Sequence, residues 1–583
     1  MQRGERVRRG RWYLLGILAL VLGVGAGLWM GRHLPWGAWA RTDSVAYIQA
    51  ASHLVQGRGL TVYDANGRLE WLAHFPPVYP LTLAAWMKAG LVWHQATRWN
   101  SALAYGLFTA LLALTMGSIV RRLPETLVWT AAVALMPPLV LYFTGAMSEG
   151  WFFVFLVLTL YGWWCAIFQG SIRAAWGAGV AAGLAVLTRY AGLFLVGGVL
   201  FLGWGFPGSL RARGKAAGAF LAPIAVLYAL WQGVMRWMGT GLRMRFPPAE
   251  VWLQSAVDLV RRIGPIFWQE WLWLRRGEVP LGDLAYAALP WLFALAPLVL
   301  GVVAGWWWRA HPGEQGSGLA PLTVWAAWTP REFRAMFLWA FLWAWSALGY
   351  MVFLYFAHVL RDPPAAYYGR VVAPFLFLTS GALLSLGFAA LAWVEHRLSV
   401  PSARFGAVPS GHRVVWVTSW GLAALALLFQ ISYLKAQDYL AVMQTFGNGY
   451  TRKVFHDPAF WARLRAWPED ILFVSTEAYA TMLWTGRFTA WPPEAFNPKR
   501  ARGPFGSRVG HPWHDAFREG RAVLIHLKPA REMWWEARMK ERGSKALDIL
   551  LEGLPVCWDA PLGTLYFKGP ADPTLCPQRE EGP

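Results

Sequence analysis

Acids are scarce in this chain, and their positions say where chemistry can occur. Asp43 lies in Arg41-Thr42-Asp43-Ser44-Val45-Ala46-Tyr47, directly after the first long apolar run, with no other acid within ten residues on either side. An Asp ahead of residues 44–56, with Gly57 as the stop, reads as the N-cap of a helix. Val45, Ile48, Ala51 and Val55 recur at helical spacing and give that helix an apolar face. A capping carboxylate stays ionised, and an ionised carboxylate accepts a proton, so cap and base are compatible roles.

Glu149 opens a later apolar segment within Gly145-Ala146-Met147-Ser148-Glu149-Gly150. An anion at a helix N-terminus is favourable in itself, but an acid at a membrane span is also a functional candidate. Arg189-Tyr190 falls between two short apolar segments. Tyr367-Tyr368-Gly369-Arg370 begins another and is preceded by His358, Arg361 and Asp362. Arginine presents several donors to a phosphate, although snorkelling to headgroups is its commoner fate in membranes. Tyr47, Glu149 and His358 are expected as polar groups of one cavity with Asp43. Arg189 and Arg370 are the first candidates to hold phosphate, with Arg243 and Arg245 in reserve. The chain contains no phosphate-cradling Gly-rich loop with Lys, no HExxH and no paired-Cys motif, and nothing has metal-ligand spacing. No metal or cofactor is expected.

The elements that must position these residues are membrane spans. Of 583 residues, 56% are hydrophobic and 15% charged, against about 25% charged in average soluble domains. Apolar runs of roughly 20 residues recur, the length that crosses a bilayer. The first, 12–30, follows five arginines in residues 1–11 and is longer than a signal-peptide core, so it is an uncleaved span. Further spans are expected near 99–120, 125–142, 149–168, 174–188, 190–206, 216–235, 284–308, 334–357, 370–394 and 413–434, about eleven in all. The net charge of +21 is carried in short loops, as the positive-inside rule asks, and does not indicate nucleic acid. That rule puts the N-terminus in the cytoplasm and Asp43, Glu149, Arg189, His358 and Arg370 together at the outer face. Outer segments 32–98 and 236–283 are long, and the second mixes Arg with Trp, as in a helix lying among headgroups.

After residue 434 the chain turns polar. Residues 470–475, 522–527 and 564–567 read as strands, and 477–484 reads as a helix closed by Gly486. The fold class is therefore mainly α: a polytopic helical domain, 1–434, followed by a small extracytoplasmic α/β domain, 435–583. Cys557 and Cys576 both fall in the latter, and an oxidising side permits a disulfide without requiring one.

Taken in order, these motifs resemble the lipid-carrier-dependent glycosyltransferases of the integral-membrane GT-C class, which includes protein O-mannosyltransferases and the transferases that put aminoarabinose on lipid A. The resemblance rests on Thr42-Asp43-Ser44-Val45-Ala46-Tyr47, Gly57-Arg58-Gly59, Phe75-Pro76-Pro77-Val78-Tyr79-Pro80, Ser148-Glu149, Leu187-Thr188-Arg189-Tyr190-Ala191-Gly192 and Tyr368-Gly369-Arg370-Val371-Val372-Ala373-Pro374. Residues 475–487 resemble the start of the periplasmic domain that many such proteins carry. The resemblance implies a catalytic acid in the first outer loop, here Asp43, and a polyprenyl-phosphate sugar as donor in a bacterial-type inner membrane. The acceptor is a lipid, a glycan or a protein. Two departures stand out. Many members have two neighbouring acids in that loop where this chain has one, and an Arg-Pro-Glu-Gly of relatives is Arg189-Tyr190-Ala191-Gly192 here. The alternatives are a lipid or glycan transporter, which favours midplane charges and internal repeats, and a non-catalytic assembly or sensor protein.

Overall fold

The computed structural model describes residues 2–239 apart from 65, 66, 73 and 121, then 330–361, 369–399, 437–491 and 516–568 apart from 518 and 529–553, with 254, 257, 299, 434 and 576 singly. Arg243, Arg245, Tyr367, Tyr368 and the spans expected at 284–308 and 413–434 lie outside the described residues. The chain divides into two compact units. One contains residues 1–33, 73–79 and 99–441; the other contains 34–72, 80–98 and 442–583.

The first unit is built from helices. They are α1 (Gln2–Arg32), α4 (Trp93–Ile119, from residue 99), α5 (Leu123–Ala134), α6 (Pro137–Phe143), α7 (Glu149–Gln169) and α8 (Ile172–Thr188). A 3-10 helix (Tyr190–Gly197) continues into α9 (Gly198–Gly205), followed by α10 (Leu210–Trp237), α11 (Pro330–Arg361) and α12 (Gly369–Ser399). Among the described residues, five helical stretches are long and apolar enough to cross a membrane: Tyr13–Arg32, Trp93–Ile119, Glu149–Gln169, Leu210–Trp237 and Ala335–Phe356. Leu14, Ile17, Leu20, Val24 and Leu28 on α1, and Val226 and Leu230 on α10, are exposed. Large apolar side chains in such rows are stable in lipid and costly in water. This is a membrane protein.

The span expected at 125–142 is two helices instead. Pro137 and Pro138 follow Met136, which is extended at φ −55° and ψ 124°. A proline clashes with a helical residue before it, so α5 ends and α6 starts afresh with proline in its first turn. The next short segment has the opposite solution. Eight 3-10 residues at about 2.0 Å each and the eight α-residues of α9 at about 1.5 Å span about 28 Å, close to the thickness of a hydrocarbon core. The core of the unit is aromatic: the Trp343 ring lies 4.9 Å from Phe377 and 6.0 Å from Trp129.

The second unit contains α2 (Thr42–Val55), a hairpin of β1 (Thr61–Tyr63) and β2 (Leu69–Trp71), α3 (Val78–Lys88, from residue 80), α13 (Pro458–Arg465), α14 (Ala478–Thr485) and, among the described residues, a five-stranded sheet. The sheet order is β4 (Thr489–Ala490), β3 (Leu472–Ser475), β5 (Ala522–Leu527), β7 (Gly563–Phe567) and β6 (Val556–Asp559). β4, β3 and β5 are parallel, and β7 runs antiparallel to both β5 and β6. Every residue of β5 is buried, as expected of a central strand covered on both faces. Cys557 on β6 forms a disulfide with Cys576.

Candidate functional site

Asp43 is not the cap. Arg41 occupies the N-cap position with extended backbone, and Asp43 lies one residue inside the first turn of α2, half-buried. The cap geometry comes from Ser44, whose hydroxyl accepts the Arg41 N–H at 3.2 Å. Asp43 remains favourable there because a carboxylate in a first turn faces the positive end of the helix dipole. Val45, Ile48 and Ala51 are buried as the spacing requires, and so are Ser44 and Tyr47; Val55, expected on the same face, is exposed. The buried face packs within its own unit, and Gln49 Nε2 lies 3.3 Å from Met482 Sδ on α14. His53 near the C-terminus of α2 shares a hydrogen bond with the Thr61 carbonyl at 2.9 Å, fixing the helix to the hairpin. Burial pushes the His53 pKa below its ordinary value, only partly opposed by that bond.

Around Asp43 the second unit gathers residues distant in sequence. Ala40 pairs with Gly449 in an isolated parallel bridge, and its carbonyl accepts the Tyr450 N–H at 2.9 Å. Gly449 has φ +58°, and a Cβ there would collide with the Ala40 carbonyl oxygen. Glycine is thus what lets the chain approach the residue before Arg41. The Tyr450 hydroxyl then donates to Glu477 Oε2 at 3.4 Å. Glu477 precedes α14 and is fully buried, and its N–H donates to the Ser475 hydroxyl at 3.2 Å. The Tyr450 and Tyr479 rings meet edge to face, 6.5 Å apart. Burial and then the Asp43 carboxylate hold the Tyr479 phenol above its ordinary pKa. Sequence reasoning missed Tyr450, Glu477 and Tyr479. The one local signal was an acid at the strand-to-helix junction Ser475-Thr476-Glu477.

In the helical unit, Glu149 is the first residue of α7 and Arg189 follows the last residue of α8. Consecutive helices reverse direction, so these termini are at the same end. They meet in an ion pair: Arg189 Nη1 lies 2.6 Å from Glu149 Oε1, with the Glu149 side chain 1% exposed and that of Arg189 17%. The same nitrogen reaches the Ser148 hydroxyl at 3.4 Å. The arginine is placed by the turn after it. The Gly192 N–H donates to the Arg189 carbonyl at 2.8 Å, and a Cβ on Gly192 would sit 2.6 Å from the Val186 backbone nitrogen. The Tyr190 hydroxyl accepts from Trp231 Nε1 on α10 at 3.0 Å. Val78, from the segment after Phe75-Pro76-Pro77, packs on the same Leu187–Tyr190–Trp231–Met235 cluster.

α11 brings the remaining candidates to that end of the unit. Trp164, late in α7, donates to the Ala335 carbonyl at 3.1 Å, while Phe194 and Tyr350 meet at 5.3 Å. The start of α11 therefore lies by the end of α7, and its end, with His358, lies toward Glu149. Arg370, the second residue of α12, begins the return helix of the α11–α12 pair. Beside Glu149 a small polar recess is lined by Tyr79, Asn100, Ser101, Gly145, Gly150 and Trp151, with Trp151 donating to Asn100 Oδ1 at 3.1 Å. Among the described residues no three His, Cys, Asp or Glu side chains gather at metal-binding distance.

Solved structures with a similar chain path are glycosyltransferases of the GT-C class. ArnT from Cupriavidus metallidurans bound to undecaprenyl phosphate is 13% identical over 95% of this chain and 97% of that one, with a TM-score of 0.45. The Archaeoglobus fulgidus oligosaccharyltransferase complex with zinc and sulfate is 14% identical over 89% of this chain and 68% of that one, with a TM-score of 0.47. No family model and no curated protein matches the sequence.

Proposed function

We propose that this protein is a membrane glycosyltransferase that moves a sugar from a polyprenyl-phosphate carrier to an acceptor on the outer side of a bacterial-type plasma membrane. The observation that carries this reading is the buried Glu149–Arg189 ion pair at one end of an apolar helical unit, and the reading assigns His358 and Arg370, on α11 and α12, to the same end. The Cys557–Cys576 disulfide supports an oxidising side for the second unit. The count of about eleven spans and the domain division 1–434 and 435–583 belong to the same proposal.

The chemistry asks little of the protein. The acceptor oxygen attacks the anomeric carbon as the bond from that carbon to the phosphate oxygen breaks, and the bonding pair leaves on phosphate. Phosphate is a stable leaving anion, so the acid of a glycosidase pair is unnecessary. A single displacement inverts the anomeric carbon. Positive charge fixed on the departing phosphate lowers the barrier, a role assigned to Arg189 and Arg370 with Arg243 and Arg245 in reserve. The ion pair with Glu149 orients Arg189 for this, because a guanidinium carries five donors in a fixed plane. Asp43 takes the proton of a hydroxyl acceptor. Glu149 and His358 are assigned to the polar lining beside Arg189, and Tyr47 to that beside Asp43. The deciding experiment is transfer from a radiolabelled polyprenyl-phosphate sugar in reconstituted membranes: Asp43→Asn should lose most of its turnover, and full activity in that variant rules out the base.

A further inference from the structure

The recess beside Glu149 contains a donor that the fold itself leaves over. Asn100, on α4, is fully buried. The atom of its amide that meets Trp151 Nε1 at 3.1 Å is the oxygen, because an indole nitrogen donates and does not accept. That contact fixes the amide: Nδ2, with its two hydrogens, is turned away from the indole. Among the described residues Nδ2 has no hydrogen-bond partner, a state that folded proteins avoid for a buried amide. The surroundings are packed to hold it so. The Trp151 ring stacks on Phe155 with centres 5.9 Å apart. A Cβ on Gly150 would lie 3.0 Å from Phe143 Cδ1, so glycine lets the start of α7 close against α6. The Ser101 hydroxyl donates to the Gly145 carbonyl at 3.4 Å and joins α4 to the segment ahead of α7.

The space limits what can enter. About 10 Å³ is open to the centre of a water-sized sphere, room for one oxygen with its hydrogens. None of the residues lining it is charged, and Tyr79, Tyr142, Phe143 and Trp151 give it aromatic walls. A phosphate is too large for this volume and would meet no cation there. A hydroxyl fits: its lone pair accepts from Asn100 Nδ2, and the aromatic walls cover the C–H face of the ring that bears it. Resting on the transferase reading above, we propose that the recess is a subsite for one sugar hydroxyl and that Asn100 is the specificity-determining residue that reads it. Gly150 and Trp151 follow Glu149 directly, so the subsite adjoins the Glu149–Arg189 pair assigned to the donor phosphate. The sugar of the polyprenyl-phosphate donor is therefore the one placed to fill it. A sugar with hydrogen in place of that hydroxyl leaves the amide unmatched and is disfavoured.

The test is calorimetric titration of the full-length protein in detergent, which needs no turnover. The probes are polyprenyl phosphate, polyprenyl-phosphate glucose, mannose and arabinose, and the monodeoxy analogues of whichever sugar binds tightest. In the wild type one monodeoxy analogue should bind about tenfold more weakly than its parent, the loss of one hydrogen bond to a buried donor. Asn100→Ala should weaken the parent by about the same factor, lose nothing further on that analogue, and bind polyprenyl phosphate as the wild type does. A merely structural role for Asn100 would weaken all the lipids alike, and that result overturns the proposal. The same series as free methyl glycosides, with polyprenyl phosphate saturating, separates the two sources of the hydroxyl: discrimination there in place of the lipid-linked series assigns the subsite to the acceptor's sugar. Wild-type protein that binds every monodeoxy analogue like its parent in both series overturns the subsite whether or not the variant folds. Selective binding with no transfer to any acceptor overturns the transferase reading and leaves the subsite standing. Transfer without such discrimination does the reverse.

Discussion

Arg189 and Glu149 meet at 2.6 Å at the junction of two helix ends, with the carboxylate almost wholly buried. The pair changes what Arg189 can be. A lone arginine at a membrane surface would snorkel to headgroups, whereas this one is turned inward and held by an acid forty residues earlier in sequence. Removing either partner takes the opposite charge away from a largely buried ionised group. Arg189→Ala or Glu149→Ala should therefore cost about 3–5 kcal/mol of stability. A double-mutant cycle with the two substitutions, followed by thermal unfolding in detergent, should return a coupling energy well above the value for an exposed pair. Additive effects would show that the contact is not energetically formed.

Gly192 is fixed by space. An added methyl would sit 2.6 Å from the Val186 nitrogen, so Gly192→Ala should push the 3-10 helix off α8 and displace Arg189. Overpacking of this kind costs about 1–3 kcal/mol. Because Arg189 moves with the turn, transfer activity should fall along with stability. A variant with wild-type melting would show that the turn relaxes freely.

Loss of the disulfide should weaken the second unit. The loop between Cys557 and Cys576 has a sequence separation of 19, for which the chain-entropy model gives about 3 kcal/mol. Cys557→Ser should lower the unfolding midpoint of the wild-type protein by the same amount as reduction, and reductant should then have no further effect on the variant. Mass spectrometry of unreduced protein should recover the crosslinked peptide.

The attachment of α2 to its hairpin should depend on pH. Burial depresses the His53 pKa below its unfolded value of 6.5, so the unfolded chain binds the proton first. The stabilising contribution is complete above the unfolded pKa and is lost as pH falls from there through the folded value. Hydrogen exchange in residues 42–63 should accelerate as pH drops below about 6.5, after correction for the intrinsic rate. His53→Gln, which keeps a donor and cannot titrate, should flatten that dependence, and an equal response in both proteins would remove His53 as its source.

Much of this was decided locally and could be read from the chain. Apolar runs of bilayer length, basic loops and turn residues mark helices and their ends without reference to distant residues, because lipid forces each span to satisfy its own backbone. The strand at Ala522–Leu527 and the stop of α14 at Gly486, with φ +74°, are of the same local kind. Where local rules competed, the sequence was less clear: Ser44, not Asp43, completes the cap, and two prolines divide a run whose composition alone suggested a single span. The partnerships were beyond reach. That Glu149 neutralises Arg189, and that Glu477 reaches Tyr450, follow from contacts across 40 and 27 residues, made by helix ends and a bridge that no periodicity encodes. Sequence placed the charges on elements. Only packing, which brings buried groups close enough that each must answer the other's charge, decided which of them act together.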